Sequence, residues 1–116
     1  MEKLTYDQIE FGLTNEDVST RKEFAECRDY QPTPEQIERG LTDASSEVRA
    51  RFADRKDYIP TAAQIERGLT DTEVNVRYTF AEREDYTPTH EQMERGLKDP
   101  HRFVRLLFAQ RKDSMH

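Results

Sequence analysis

A 28-residue repeat runs through the sequence and constrains its fold more than any other feature. Five residue types recur at fixed places in all four repeats, a match too regular to arise by chance. They are Gln8, Gln36, Gln64 and Gln92; Gly12, Gly40, Gly68 and Gly96; Leu13, Leu41, Leu69 and Leu97; Phe24, Phe52, Phe80 and Phe108; and Asp29, Asp57, Asp85 and Asp113. Repeats 1 to 4 therefore cover residues 5–32, 33–60, 61–88 and 89–116. A period of this length predicts stacked units that continue one core.

Each repeat opens with Thr-x-x-Gln, the capping-box pattern of a helix N-terminus. In repeat 2 the pair is Thr33 and Gln36, and a proline directly after the threonine occupies the first helical position, where proline is favoured. A short first helix is predicted over 34–42, with Ile37 and Leu41 on its inner face.

A second helix is predicted in each repeat, over 44–55 in repeat 2, with the valine and phenylalanine columns facing inward. Asp43 is predicted to cap it. In repeat 4 the equivalent Asp99 is followed by Pro100, which is predicted at the first helical position. The predicted fold is all-α: a right-handed α-solenoid of four two-helix repeats, forming a single domain over 1–116.

The repeated glycine, Gly40 in repeat 2, has two interpretations that the sequence leaves open. It could be a C-cap that ends the first helix. It could instead allow stacked repeats to approach closely at a point where a Cβ atom would clash.

Composition alone would place the chain near disordered proteins, since 36% of residues are charged and the mean hydropathy is −1.05. The periodic placement of the apolar residues overrules that interpretation. No apolar run is long enough for a membrane span, and no signal peptide is apparent. A single cysteine, Cys27, suits a reducing compartment, so we expect a cytoplasmic location and no membrane partner.

Residues 33–43, followed by Glu-Val-Arg at 47–49 and Phe-Ala at 52–53, resemble the leucine-rich repeat variant family. More distantly the chain is similar to HEAT repeats, through Asp99-Pro100 and Val104-Arg105. The resemblance implies a helical solenoid that acts as a binding scaffold. The 28-residue repeat is shorter than the HEAT unit of about 40 residues, so its helices must be short. Some leucine-rich variant proteins bind an iron–sulfur cluster through several cysteines, which a lone cysteine cannot supply.

Three columns of charged residues could serve either binding or structure. The first pairs Arg21, Arg49, Arg77 and Arg105 with Asn15, Asp43, Asp71 and Asp99, and a ladder tying repeats together is favoured over a grip on phosphates. The second places Arg39, Arg67 and Arg95 beside Glu38, Glu66 and Glu94, where a solvated mixed-charge face is favoured over a ligand stripe. The third holds Cys27, Arg55, Arg83 and Arg111, predicted as an outward or boundary position.

No catalytic residue, metal site or cofactor is predicted. The three histidines, His90, His101 and His116, lie in repeat 4 without a neighbouring cysteine and are interpreted as surface residues. Cys27 has no histidine near it in repeat 1, and the chain lacks a glycine-rich phosphate loop. We therefore expect a protein without enzymatic activity.

Candidate partner-binding residues fall in the loops and in repeat 4. Tyr58 and Tyr86 lie in loops beside prolines, where they either contact a partner or pack over the next repeat. Phe103, Leu106 and Leu107 occupy columns that hold Glu47, Ala50 and Arg51 in repeat 2, and they are bordered by Arg102, Arg105 and Lys112. They either fold back over the core or form an interface, which includes a homodimer through repeat 4.

The function predicted from these features is a non-catalytic, protein-binding module. Its small size suits an inhibitor or adaptor of a phage or mobile element. The alternative is a HEAT-like protein that binds nucleic acid through its arginine columns. A net charge of −6 counts against that alternative.

Overall fold

The computed structural model describes residues 3–114, and within that range the chain forms eight α-helices and no strand. The helices are α1 (Tyr6–Leu13), α2 (Val18–Glu26), α3 (Pro34–Leu41), α4 (Ser46–Ala53), α5 (Ala62–Leu69), α6 (Val74–Ala81), α7 (His90–Leu97) and α8 (Arg102–Ser114). Two helices fall in each repeat, and the predicted all-α class is confirmed. The helices form two compact halves, α1–α4 and α5–α8, that divide between Tyr58 and Ile59.

All four predicted capping boxes are present at the start of the first helices. The Thr33 hydroxyl accepts from the Gln36 backbone N–H at 3.1 Å, and the Gln36 side chain accepts from the Thr33 backbone N–H at 2.9 Å. The same reciprocal pair caps α1, α5 and α7. Because two orphan donors are satisfied at each site, short helices of eight residues begin at defined positions.

The second helices begin later than predicted. Helix α4 has Ser45 at its N-cap, and the Asp43 carboxylate instead accepts from the Ser45 backbone N–H at 2.9 Å in the preceding turn. Pro100 lies two residues before α8 begins, so it does not occupy the first helical position. Both capping predictions were wrong, because the aspartate of this column accepts from the backbone N–H two residues later, Ser45 for Asp43 and His101 for Asp99, and so forms a turn that precedes the helix.

The repeated glycines are packing positions inside the first helices. A Cβ atom at Gly40 would lie 2.2 Å from the ring of Phe52, and a Cβ atom at Gly12, Gly68 or Gly96 would lie equally close to the phenylalanine ring of its own repeat. None of these glycines has a positive φ. The C-cap interpretation was wrong, and the close-approach interpretation holds in a changed form. The neighbour is an aromatic ring of the same repeat, which locks the two helices together.

The core consists of the columns predicted from the sequence. Within each half the second helices of consecutive repeats pack together, α2 on α4 and α6 on α8. Among the buried side chains are Ile9, Leu13, Ile37, Leu41, Val48, Phe52, Ile65, Leu69, Val76, Phe80, Met93, Val104 and Phe108. None of the helices in residues 3–114 is long and apolar enough to cross a membrane. The assignment of residues 1–116 to one domain stays a prediction.

Candidate functional site

The arginine–aspartate ladder connects consecutive repeats within each half. In Arg21, Nε donates to Oδ2 of Asp43 at 3.0 Å and Nη2 donates to Oδ1 at 3.2 Å. Arg77 holds Asp99 in the same bidentate way, at 2.8 and 3.1 Å. The ladder prediction is confirmed for these two pairs, so their guanidinium groups are committed to the fold.

The ladder aspartates are largely shielded from solvent, so water screens their interactions with arginine less. Burial of Asp99 acts to raise its pKa, but hydrogen bonds from Arg77 and from the His101 backbone N–H outweigh it and leave the pKa below its ordinary value. The carboxylate is therefore charged at neutral pH and holds its arginine partner firmly.

The charges on the first helices also bridge repeats. Glu10 in α1 accepts from Arg39 Nη1 at 2.5 Å and from Gln36 Nε2 at 3.3 Å. The hydrogen bond from Arg39 lowers the pKa of Glu10 to about 2. Arg39 and Arg95 are exposed, as predicted for a solvated mixed-charge face, and each pairs with a glutamate of the preceding repeat. The equivalent bonds connect Glu66 to Arg95 at 2.8 Å and to Gln92 at 3.0 Å.

A buried arginine, which sequence reasoning missed, closes the interface between repeats 1 and 2. Arg55 is 0% exposed. Its Nη1 donates to the carbonyl oxygens of Ala25 at 2.7 Å and Cys27 at 2.8 Å, and its Nη2 donates to the Tyr30 carbonyl at 3.1 Å. Arg55 also forms an ion pair with Asp57 at 2.8 Å. The predicted outward or boundary position was wrong for Arg55 and Arg83, which are buried, and holds for Cys27 and Arg111, which are partly exposed.

One sequence signal could have revealed the buried arginine. The pattern Arg-x-Asp recurs at this place in repeats 2, 3 and 4, which supplies each arginine with a carboxylate two residues on. An arginine that has a carboxylate at a fixed offset in three repeats has the partner that a buried charge requires.

The loop tyrosines are used by the fold. The Tyr58 hydroxyl donates to the Phe52 carbonyl at 2.9 Å. The Tyr86 ring lies 4.7 Å from the guanidinium carbon of Arg111, and its hydroxyl is buried with no hydrogen-bond partner among residues 3–114. Burial raises the pKa of Tyr86. Tyr86 contacts the next repeat, as the packing interpretation predicted, whereas the hydroxyl bond of Tyr58 lies within its own repeat. The proposed site does not include either side chain.

The apolar residues of repeat 4 lie on an open surface. Phe103 is 49% exposed and Leu106 is 53% exposed, so these two side chains do not fold back over the core. Leu107 is partly buried beside them. We use the name apolar face for a surface of the C-terminal half that comprises Val74, Tyr78, Phe103, Leu106 and Leu107.

A shallow groove between α6 and α8 forms part of the apolar face. It is lined by Val74, Asn75, Tyr78, Thr79, His101 and Phe103. The exposed Arg102 guanidinium lies 5.2 Å from the centre of the Phe103 ring, and the His101 ring lies 5.3 Å from it on centroids. Sequence reasoning missed Tyr78, although it occupies the same column as Leu106.

The three histidines are the remaining candidate ligands. His90 is exposed and forms an ion pair with Glu94 at 3.0 Å, while His101 is partly buried and accepts at Nδ1 from the Phe103 backbone N–H. His116 lies outside the described residues. In residues 3–114 no three histidine, cysteine or acidic side chains are grouped so that they could hold a metal ion.

Comparison of the chain with protein-family models, with curated proteins and with solved structures finds no match.

Proposed function

We propose that this chain is a non-catalytic, protein-binding module that binds its partner through the apolar face. The observation that carries the proposal is the exposure of Phe103 and Leu106, about half of each side chain, on a molecule rich in surface charge. An exposed aromatic and aliphatic cluster rimmed by arginine has the composition of an interface core. Arg102, stacked near Phe103, belongs to that rim.

The proposal includes the right-handed α-solenoid as the arrangement of the four repeats. It is supported by the identical interface inside each half, where Arg21–Asp43 and Arg77–Asp99 connect consecutive repeats at equivalent atoms. A contact that recurs with the sequence period is typical of solenoids, in which each repeat contacts its neighbours.

No observation favours the nucleic-acid alternative. Binding to phosphates needs free guanidinium groups, whereas Arg21 and Arg77 hold aspartates and Arg55 is buried. Arg39 and Arg95 are likewise paired with glutamates. The arginine columns therefore serve the structure first.

The test is a double variant that gives the apolar face the residues of the N-terminal half. Phe103→Glu copies Glu47 of its column and Leu106→Lys copies Lys22 of its column, so the two substitutions together leave the net charge unchanged. The control is Ala62→Glu with Ala63→Lys, a swap of the same charges on exposed positions of α5.

Each protein is immobilised, exposed to extract of the cells that make it, and the captured proteins are quantified. We expect the face variant to lose its partner at least about tenfold, because central apolar anchors dominate binding energy, and the control to retain it. Circular dichroism confirms that both variants are folded. Equal capture by wild type and by a folded face variant would contradict the proposal.

A further inference from the structure

Arg105 is held like the ladder arginines but has an open edge. Its Nη1 donates to the carbonyl oxygens of Asp99 at 2.7 Å and Pro100 at 3.1 Å. Arg21 is anchored in the same way, by Nη1 bonds of 2.8 Å to Asn15 and 3.1 Å to Glu16. The remaining Nε and Nη2 of Arg105 have no partner among residues 3–114.

The same edge binds a carboxylate in the other described ladder pairs. Nε and Nη2 of Arg21 clasp Asp43, and those of Arg77 clasp Asp99, each in a bidentate geometry. The anchored Nη1 fixes the plane of the guanidinium, so little side-chain freedom is lost when the edge is filled. These two pairs show that this edge of the guanidinium binds a carboxylate.

We infer that the Nε–Nη2 edge of Arg105 is a binding site for an aspartate or glutamate side chain of a different protein. The inference rests on the proposed function and adds the chemistry of the partner, an acidic segment that meets the apolar face. The carboxylate would take the place that Asp43 has on Arg21.

Leu106 places an apolar contact next to this carboxylate site. In repeat 1 the equivalent side chain, Lys22, reaches Glu47 of the following repeat at 2.6 Å. The Leu106 side chain, which is equivalent to Lys22, therefore lies on the same side of the repeat as the open edge of Arg105. A fitting segment carries an acidic residue beside an apolar one.

The charge of repeat 4 supports an acidic partner. It holds six bases and four acids, a net charge of +2, whereas repeats 1, 2 and 3 carry −4, −1 and −3. Arg102 and Lys112 are exposed on the same helix as Arg105. This local excess of positive charge would steer an acidic segment to the site.

A second copy of the chain fits the site poorly in either orientation. In head-to-tail contact, repeat 1 would present Asn15 where the ladder requires an aspartate. It would also present Phe11 where the glutamate–arginine bridge requires an arginine. In a tail-to-tail dimer, two repeats of charge +2 would face each other. Electrostatics therefore favours a different protein as the partner over the predicted homodimer.

The experiment selects peptides from a random 12-residue phage library on the immobilised full chain, followed by fluorescence anisotropy with the synthetic peptides. We expect the selected peptides to carry Asp or Glu beside an apolar residue. Their Kd should rise about tenfold with Arg105→Gln, because a charge-assisted bidentate bond is lost. Arg105→Lys should recover only part of the affinity, since a lysine lacks the planar fork. Lys98→Gln, which removes an exposed charge at the end of α7, is the matched control and should change little.

The alternative outcomes separate this inference from the proposed function. Peptides that bind the apolar face without an acidic residue, and that lose affinity with Leu106→Lys but not with Arg105→Gln, would overturn the carboxylate site and leave the proposed function standing. Selection that enriches no peptide would also overturn the inference, whereas partner capture from extract would still test the function. A dimer in sedimentation equilibrium that Leu106→Lys dissolves would assign the surface to a second copy and overturn the inference.

Discussion

The interface between repeats 1 and 2 and the interface between repeats 3 and 4 have the same interior and different exteriors. Inside, each has a glutamate–arginine bridge and an arginine–aspartate pair: Glu10–Arg39 and Arg21–Asp43 in the first, Glu66–Arg95 and Arg77–Asp99 in the second. Each also has an arginine that reaches back to carbonyl oxygens of the preceding repeat. Arg55 donates to those of Ala25 and Cys27, and Arg111 to those of Ala81 and Arg83.

Outside, ion pairs in the first interface give way to apolar side chains in the second. Lys22 pairs with Glu47 at 2.6 Å, and Glu26 pairs with Arg51 at 3.0 Å. The columns of the first pair hold Tyr78 and Phe103 in the second interface, and the columns of the other pair hold Glu82 and Leu107. Exposed ion pairs contribute little to stability, so their loss costs the fold little and frees the surface for binding.

The difference shows how the repeat separates folding from function. The glycine–phenylalanine lock and the arginine–aspartate pairs stabilise each repeat and each interface from inside. The outer columns of the second helices are not needed for that task, and their variation in the C-terminal half agrees with the binding region proposed there.

The largest expected effect comes from breaking the shared interior. Phe52→Ala and Phe108→Ala should each destabilise the protein by about 3–5 kcal/mol, because each removes a buried ring and leaves a cavity beside a glycine. Phe103→Ala, in the same helix as Phe108 but half exposed, should cost less than about 1 kcal/mol. Urea unfolding followed by circular dichroism measures all three. Comparable losses for Phe103→Ala and Phe108→Ala would mean that the apolar face belongs to the core.

A smaller effect is expected from the buried arginine of the first interface. Arg55→Met should cost about 3 kcal/mol, because three carbonyl oxygens and the Asp57 carboxylate lose their donor. Arg51→Met, four residues earlier in α4, removes the partly exposed pair with Glu26 and a 3.3 Å bond to the Glu47 carbonyl, and it should cost less than about 1 kcal/mol. The difference between the two urea midpoints is the measurement. Equal midpoints would show that Arg55 contributes no more than a surface pair.

The sequence predicted the parts of this comparison that depend on local patterns. The capping boxes and the core columns follow from spacing within one repeat, and both were found in the structure. Burial of Arg55 could not be predicted in the same way, because a lysine or arginine is by default a surface residue and its partners lie about 25 to 30 residues earlier in the chain.

The role of the repeated glycine and the extent of the apolar face were also harder to predict from the sequence. Gly40 contacts a ring twelve residues later, so its role required the angle between α3 and α4. Phe103 and Leu106 replace polar or small residues together in one helix, so they stand out in the sequence, whereas Tyr78 is a single replacement of that kind in repeat 3.

The smallest expected effect concerns acid, and it would sharpen the comparison of the two bridging glutamates. Bonding to Arg39 lowers the pKa of Glu10 from the ordinary 4.5 to about 2, and bonding to Arg95 lowers the pKa of Glu66. A carboxylate whose pKa is lowered on folding stabilises the protein above its unfolded pKa and loses that contribution as the pH falls towards its folded pKa. Glu10→Gln should therefore be less stable than wild type at pH 7, by less than about 1 kcal/mol because the pair is partly exposed. The gap in urea midpoint should close between about pH 4.5 and pH 2. Glu66→Gln should behave alike with a smaller gap. A gap for Glu10→Gln that stays constant from pH 7 to pH 2 would mean that its charge does not contribute to the bridge.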